Sequence, residues 1–314
     1  MLRYLTQRLF ASLIVMIGLS VLAFALVRMV PGDTATAMLG IHYDEQDAAA
    51  LREKYGLDKP VVVQYGIWVM QVVRGDLGRS INGKPVTAEI SAALPVTLEL
   101  ASLALGIALL VGVPFGLLAA MNRGKAMDAA ASGVSLVGLS VPGFWLGTLL
   151  ILVFALHLRW LPSGRYVPIT QSPILNLRHM ILPATALGMA VTAVLMRMTR
   201  SAMLEVLSQD YVRTARAKGV DRWRVMARHV ARNGIIPVLT VAGLQAGYLL
   251  GGSIVIEEVF SLNGIGALVL RALGDRDYPL LQAAILLIGG IFLIVNFTVD
   301  LLYTWADPRV SLES

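Results

Sequence analysis

Six apolar stretches long enough to cross a bilayer as helices divide this 314-residue chain: Leu9 to Val27, Thr97 to Met121, Ala129 to Leu156, Ile181 to Met196, Ile235 to Ile256 and Leu280 to Tyr303. A helical span takes about 20 mostly apolar residues to cover about 30 Å of hydrocarbon, and there every backbone N–H and C=O must be satisfied within the segment. The alternation of such stretches with short polar connectors predicts an all-α integral membrane protein with six transmembrane helices. The fourth stretch is the shortest; it reaches full length by continuing through Arg197 and Arg200, whose side chains can snorkel to the headgroups. With 57% hydrophobic and 15% charged residues, the chain lacks the charge that coats a soluble domain, where roughly a quarter of residues are charged.

Basic residues in the short polar segments set the orientation. Arg3 and Arg8, Arg123 and Lys125, the series from Arg197 to Arg232, and Arg309 all fall on one side when six spans are counted. That side is predicted to be the cytoplasm, with both termini on it. The net charge of +6 thus records topology, and nothing points to nucleic acid. Arg3, Arg8 and Ala23-Phe-Ala25 give the first stretch the outline of a secretory signal. Its length, with Arg28 and Pro31 following, favours an uncleaved helix.

The expected organisation is residues 1–30 for the N-terminal end and first span, 31–95 outside, a five-helix core over 96–303 that includes a cytoplasmic loop 201–234, and a cytoplasmic tail 304–314. The outer segment reads as a small helical cap. Asp44 can cap a helix over Glu45 to Tyr55 that Gly56 ends. Val61 to Val73, after Asp58 and Pro60, is too short to span and contains Gly66 and Gln71, so it is expected to be interfacial or packed.

Several chemistries are excluded. Cysteine is absent, which removes disulfides, thiolate metal sites and cysteine nucleophiles. His42, His157, His179 and His229 show no paired spacing for a metal helix, and Ser140 lacks the second glycine of a nucleophile elbow. Gly78-Arg-Ser-Ile-Asn-Gly-Lys-Pro85 has the skeleton of a phosphate loop, but Pro85 replaces the magnesium-holding Ser or Thr, no buried strand precedes it, and it is placed outside. No catalytic residue, metal or cofactor is assigned to the chain. Nucleotide energy, if used, must be bound by another chain.

Inside the spans, Gly112 to Gly116, Gly143 to Gly147 and Gly247 to Gly251 place small residues four apart, which lets helix backbones approach within one bundle. Pro114, Pro142, Pro183 and Pro237 are expected to bend or start helices. Glu99, Asn296 and Asp300 are polar positions near span ends. Gln245, Ser253, Glu257 and Glu258 are the candidate pathway or gate residues of the fifth span.

The polar island before that span is the candidate functional element. Asp210 is expected to N-cap a short helix of Tyr211, Arg213, Thr214, Ala215, Arg216, Ala217 and Lys218, and Gly219 to end it in left-handed conformation. Asp221 is expected to cap a second helix through Arg232, with the next span beginning near Pro237. A short rigid helix at the mouth of a bundle can transmit displacement from a docked partner. Held by anionic lipid headgroups, the same basic loop would explain the charge but not the cap, turn and small residues.

These residues resemble the membrane subunits of ABC importers of the dipeptide, oligopeptide and nickel permease family. The likeness covers nearly the whole chain: Leu2-Arg-Tyr with Arg8, Pro31-Gly-Asp33, Asp76-Leu-Gly-Arg-Ser80, Pro95-Val-Thr-Leu-Glu99, Asp210 to Gly219, Arg232-Asn-Gly-Ile-Ile-Pro237, Gly251-Gly-Ser-Ile-Val-Ile-Glu-Glu258, Asp277-Tyr-Pro279, Val299-Asp-Leu-Leu-Tyr303 and Asp307-Pro-Arg309. Arg213-Thr-Ala215 stands where the general importer pattern has Glu-Ala-Ala, and Gly219 lies farther from Pro237. Both departures are similar to the peptide and nickel subgroup. The resemblance implies a type I importer permease fold in a bacterial inner membrane, contacting membrane lipid. It also implies a second homologous permease, two cytoplasmic ATPases carrying ATP and Mg, and an extracytoplasmic solute-binding protein. Residues 210–219 would meet the ATPase. Peptides, including glutathione-like ones, are the implied cargo, with nickel chelates or opine-like solutes as alternatives. The rival architecture, an ATP-independent secondary transporter, would be expected to show midplane charges or matching broken halves.

Overall fold

The computed structural model describes residues 2–29, 44–46, 49, 52 and 58–306. Pro31-Gly-Asp33, most of the expected helix 45–55 with its Gly56 stop, and Asp307-Pro-Arg309 lie outside them. Asp44 accepts the Gln46 N–H at 2.8 Å, as a cap does. The elements are α1 (Leu2–Arg28), α2 (Val61–Val73), α3 (Val86–Met121), α4 (Ala126–Ser140), α5 (Gly143–Leu150) with a π-helical continuation Ile151–His157, α6 (Pro173–Leu207), α7 (Asp210–Ala217), α8 (Arg222–Val225) with a π-helical turn Met226–Ala231, α9 (Arg232–Val259), α10 (Ile265–Gly274) and α11 (Tyr278–Ala306). Five helices are long and apolar enough to span, and α4 with the α5 arm forms a pair bent by 102° that can be a sixth. Two compact units divide the chain, one of Leu98–Leu262 with the residues from Val295 on, the other of Leu2–Thr97 with Asn263–Ile294.

In the first unit α6 is the central helix, packed by α9, α4 and α5. Small residues set the α3–α6 seam. A Cβ on Gly188 would lie 2.7 Å from the Ala104 carbonyl oxygen, one on Gly112 2.8 Å from that of Thr192, and one on Gly116 2.5 Å from that of Met196. The contacts climb both helices in the same direction, so α3 and α6 are parallel. Their connector must therefore return the chain across the bundle. The Arg200 guanidinium donates to Asp128, at the start of α4, near the C-terminal ends of α3 and α6. The Tyr166 hydroxyl, in the loop after the bent pair, donates to Glu99 Oε2 at 2.7 Å. Glu99 and Met121 are separated by about 33 Å of helix, enough to cross the hydrocarbon. The bent pair is thus a crossing, not a re-entrant loop.

The third apolar stretch, 129–156, forms two helices bent by 102° at Pro142, one of the prolines expected to bend or start helices. Val141, extended at φ −85° and ψ 122°, interrupts it. The ring of Pro142 disfavours helical conformation at the residue before it, and proline supplies no N–H. The second span begins at Val86 rather than Thr97 and carries Pro95 inside it. Arg200 does not snorkel as expected; it pairs with Asp128. Gly247 is buried, whereas a Cβ on Gly251 would meet nothing within 4 Å, so the expected close packing holds at Gly112 and Gly116 but not at Gly251.

The second unit ties separated motifs together. Its core comprises Val86, Ile90, Ala93, Ile265, Leu268 and Leu280 among others. Residues 78–86 form a tight turn, with Ser80 N–H donating to Lys84 O at 2.9 Å, Gly83 N–H to Ser80 O at 2.8 Å and Val86 N–H to Gly78 O at 3.1 Å. Three N–H groups of this phosphate-loop look-alike are therefore taken by its own carbonyls. The buried Asp277 carboxylate accepts the Ser80 hydroxyl, the Ile81 N–H at 3.1 Å and the Leu280 N–H at 3.2 Å. It caps α11 and fastens the turn to it. Thr97 Oγ1 accepts the Ile265 N–H at 2.8 Å, supplying a first-turn acceptor for α10. α1 pairs antiparallel with the N-terminal half of α11, Gln282 donating to Ala23 O at 3.0 Å and Leu19 lying against Gly289. α2 forms as expected, its Tyr65 and Trp68 packing on Phe24. Ser80→Ala should cost about 1.5–3 kcal/mol, the range for a bond to a charged group. Thermal unfolding in detergent reads this as a lower midpoint, and Asp277→Ala should lower it further because it also frees two N–H groups.

Candidate coupling surface

The geometry of residues 209–234 follows from its sequence. Gln209, extended at φ −71° and ψ 145°, is the N-cap, one residue before the expected Asp210, and makes no side-chain capping bond. Asp210 instead occupies the first turn, where a carboxylate favours the positive end of the helix dipole. It lies 3.6 Å from Arg213, fully in solvent. Thr214 Oγ1 donates back to Asp210 O at 3.0 Å. Only Val212 and Ala215 of α7 are buried; Tyr211, Arg213, Thr214, Arg216, Ala217, Lys218 and Gly219 are exposed. The helix lies on one apolar edge and shows a basic face.

Its end is a Schellman motif. The Gly219 N–H donates to Arg216 O at 2.9 Å and the Val220 N–H to Ala215 O at 3.3 Å, the paired bonds of that stop. Gly219 has φ +74°, and a Cβ there would meet nothing within 4 Å. The glycine is thus required by backbone conformation, not by space. Asp221 caps the next helix as expected, accepting from Trp223 N–H at 2.9 Å and Arg224 N–H at 3.3 Å.

That second helix does not stop at Arg232. It passes through the π-helical turn Met226–Ala231 into α9 with no break, and Pro237 lies inside α9. Val212, Ala215, Val225, Met226 and Val230 share a buried cluster with Ala120 of α3 and Met203 of α6. Asn233 donates to the Tyr211 hydroxyl at 3.0 Å and to His229 O at 3.1 Å. α7 is therefore fixed to the end of α6 and, through a continuous helix, to α9. The sequence had suggested a separate second helix because Pro237 looked like a start; a proline is tolerated in membrane helices where neighbours adjust.

The remaining candidates do not assemble into one site. Gln245 is half-buried, Ser253 and Glu257 are buried one turn apart, and Glu258 is exposed. Gln245 and Glu257 stand about 18 Å apart along the axis. The Ser253 hydroxyl donates to Leu250 O at 3.0 Å. Two polar pairs escaped sequence reasoning. Asp128 is buried against Arg200 Nε at 2.5 Å and Nη2 at 2.9 Å, and accepts the Gly124 N–H at 3.0 Å. Its signal was an acid in the first turn after a glycine. Tyr166 is the other; burial, then its bond to Glu99, push its hydroxyl up to about 12, so it remains a neutral donor at physiological pH. No sequence signal linked the two.

Residues 112–312 match the family described as binding-protein-dependent transport system inner membrane component, and residues 1–101 match its N-terminal companion. A di/tripeptide transport system permease protein of Pseudomonas aeruginosa (strain UCBPP-PA14) is 42% identical over 332 residues, covering 99% of both chains. A dipeptide transport system permease protein of Escherichia coli (strain K12) is 41% identical over 335 residues, again covering 99% of both. A chain of the inward-facing MetNI methionine ABC transporter is similar in fold, with TM-score 0.60 and 15% identity over 71% of this chain and 98% of that one. The parallel α3–α6 seam, the bent crossing and the helix–glycine–helix segment thus belong to a permease, and the chain is a member of the family of binding-protein-dependent transport system inner membrane components.

Proposed function

We propose that this chain is the permease subunit of an ATP-driven peptide importer and forms half of the translocation pathway beside a second homologous permease. Relatives named for dipeptide and di/tripeptide transport, 40–42% identical over nearly their whole length, support the peptide class. Two cytoplasmic ATPases carry ATP and Mg, and a solute-binding protein delivers cargo from outside. The protein sits in the bacterial inner membrane with both termini in the cytoplasm. α7 is the element on which an ATPase acts, and residues Asp210 to Gly219 form the contact. Gln245, Ser253, Glu257 and Glu258 remain candidates for the pathway or its gate.

One observation carries the coupling reading: α7 is a stopped, stiff helix whose apolar edge is fixed to α6 and α9 and whose basic face is open. Displacement of such a helix moves the two spans with it, whereas a loop would absorb the push. In the complex assembled with its ATPases, Gly219→Val should still assemble but lose most substrate-stimulated ATP hydrolysis. A β-branched residue at φ +74° costs at least about 1–2 kcal/mol or abandons the stop. Gly219→Asn, which tolerates the left-handed region, should retain coupling. Full stimulation in the valine variant, or uptake driven by ion gradients without ATPases, would sink the reading.

A further inference from the structure

We propose that the cavity beneath the turn after α7 binds one anionic phospholipid of the adjacent leaflet; placing that leaflet on the cytoplasmic side rests on the coupling reading. The cavity, open on one side, measures about 560 Å³ between the ends of α3 and α6 and the segment from α7 to α8, within the size range of small-molecule sites. Leu204, Leu207, Val220 and Met226 line it, and Arg123 and Arg216 stand at it, with no carboxylate in the lining. Among the described residues neither arginine forms an ion pair. The nearby acid, Asp128, feels the Arg123 charge but makes no ion pair with it, its oxygens being taken by Arg200 and the Gly124 N–H.

This combination fits an anionic amphiphile better than a soluble anion. Two guanidinium groups offer forked donors to a phosphate, but a small ion alone would leave the aliphatic walls wet. The cavity lies at the C-terminal ends of α3 and α6, both long enough to span, so it stands at headgroup level with hydrocarbon alongside. An acyl chain can enter from that side while the phosphate remains at the arginines. Each basic residue near an anionic membrane surface contributes about 1 kcal/mol. The proposed occupant would fill space directly under the coupling segment, and its retention can be read without ATP hydrolysis.

The experiment is native mass spectrometry of the complete transport complex, reconstituted in vesicles of phosphatidylcholine alone or of equal parts phosphatidylcholine and phosphatidylglycerol, then extracted. The parent complex should retain phosphatidylglycerol in preference to phosphatidylcholine. Arg123→Gln should weaken retention about fivefold, the equivalent of one such contact, and Leu207→Trp should displace the lipid by filling the cavity. Lys125→Gln, at the same face but outside the lining, should retain it. Equal retention in Leu207→Trp overturns the proposal, as does displacement by inorganic phosphate, which would mark a soluble-anion site. A crosslink placing an ATPase side chain in the cavity also overturns it. Because retention is read without ATP, a Gly219→Val complex that stays coupled would refute the coupling reading while leaving this result intact.

Discussion

Gly188→Val should prevent accumulation of folded protein, and Gly188→Ala should lower its stability despite improving helix propensity. Alanine in place of glycine within a helix ordinarily gains about 1 kcal/mol. Here the added Cβ would lie 2.7 Å from the Ala104 carbonyl oxygen and 3.3 Å from its Cα and C. Those are backbone atoms, so no rotamer change relieves the contact and α3 must move away from α6. Overpacking of this kind costs about 1–3 kcal/mol and occasionally more. We expect alanine to be net destabilising by about 1–2 kcal/mol and valine by about 3 kcal/mol or more. Gly106 supplies the control on α3, since a Cβ there meets nothing within 4 Å. Gly106→Ala should be neutral or stabilising by up to about 1 kcal/mol. Thermal midpoints in detergent and the yield of monodisperse protein measure both. Equal effects at the two glycines would mean that the seam is not a close approach.

The opposite signs expected at Gly188 and Gly106 show which parts of the fold were legible in the sequence. Hydrocarbon length is a property of consecutive residues, so the spans and the short α2 could be read directly. The stop at Gly219 and the cap at Asp221 were also legible, because each depends on neighbours within a few residues. A bend or helix start at Pro142 was also legible, because the proline ring acts on its immediate neighbours, whereas the 102° turn it makes and the π-helical continuation Ile151–His157 depend on packing. Contacts across long separations were invisible, because nothing local links Ser80 with Asp277, Glu99 with Tyr166 or Asp128 with Arg200. The first unites Asp76-Leu-Gly-Arg-Ser80 with Asp277-Tyr-Pro279, two segments that carried the family resemblance without an apparent reason. The candidate coupling helix was locatable because its pattern is local, whereas its attachment to α9 through a π-helical turn required the fold.

Asp128→Ala is expected to destabilise the protein by about 3 kcal/mol, a far larger effect than loss of a surface charge would give. Arg200, near the end of α6 with Arg197 one turn before it, suits snorkelling by sequence alone; a snorkelling arginine would barely notice Asp128. The geometry instead shows the guanidinium delivering Nε at 2.5 Å and Nη2 at 2.9 Å to the two carboxylate oxygens, a forked bond stronger than a single charge contact. The side chains of Arg200 and Asp128 are 32% and 9% exposed. Breaking a buried pair by removing one partner costs about 3–5 kcal/mol, because the other charge is left without compensation. Since Arg200 still reaches water, the loss of Asp128 belongs at the low end of that range, with detachment of Gly124 included. Arg200→Ala leaves the more deeply buried group behind and should cost at least as much. The double replacement leaves neither charge orphaned, so its cost should fall well short of the two single costs combined. Unfolding in mixed micelles gives the coupling energy of this cycle. A value under about 0.5 kcal/mol, as for an exposed pair, would show that Arg200 draws its solvation from the membrane surface and that α4 is held by its apolar contacts alone.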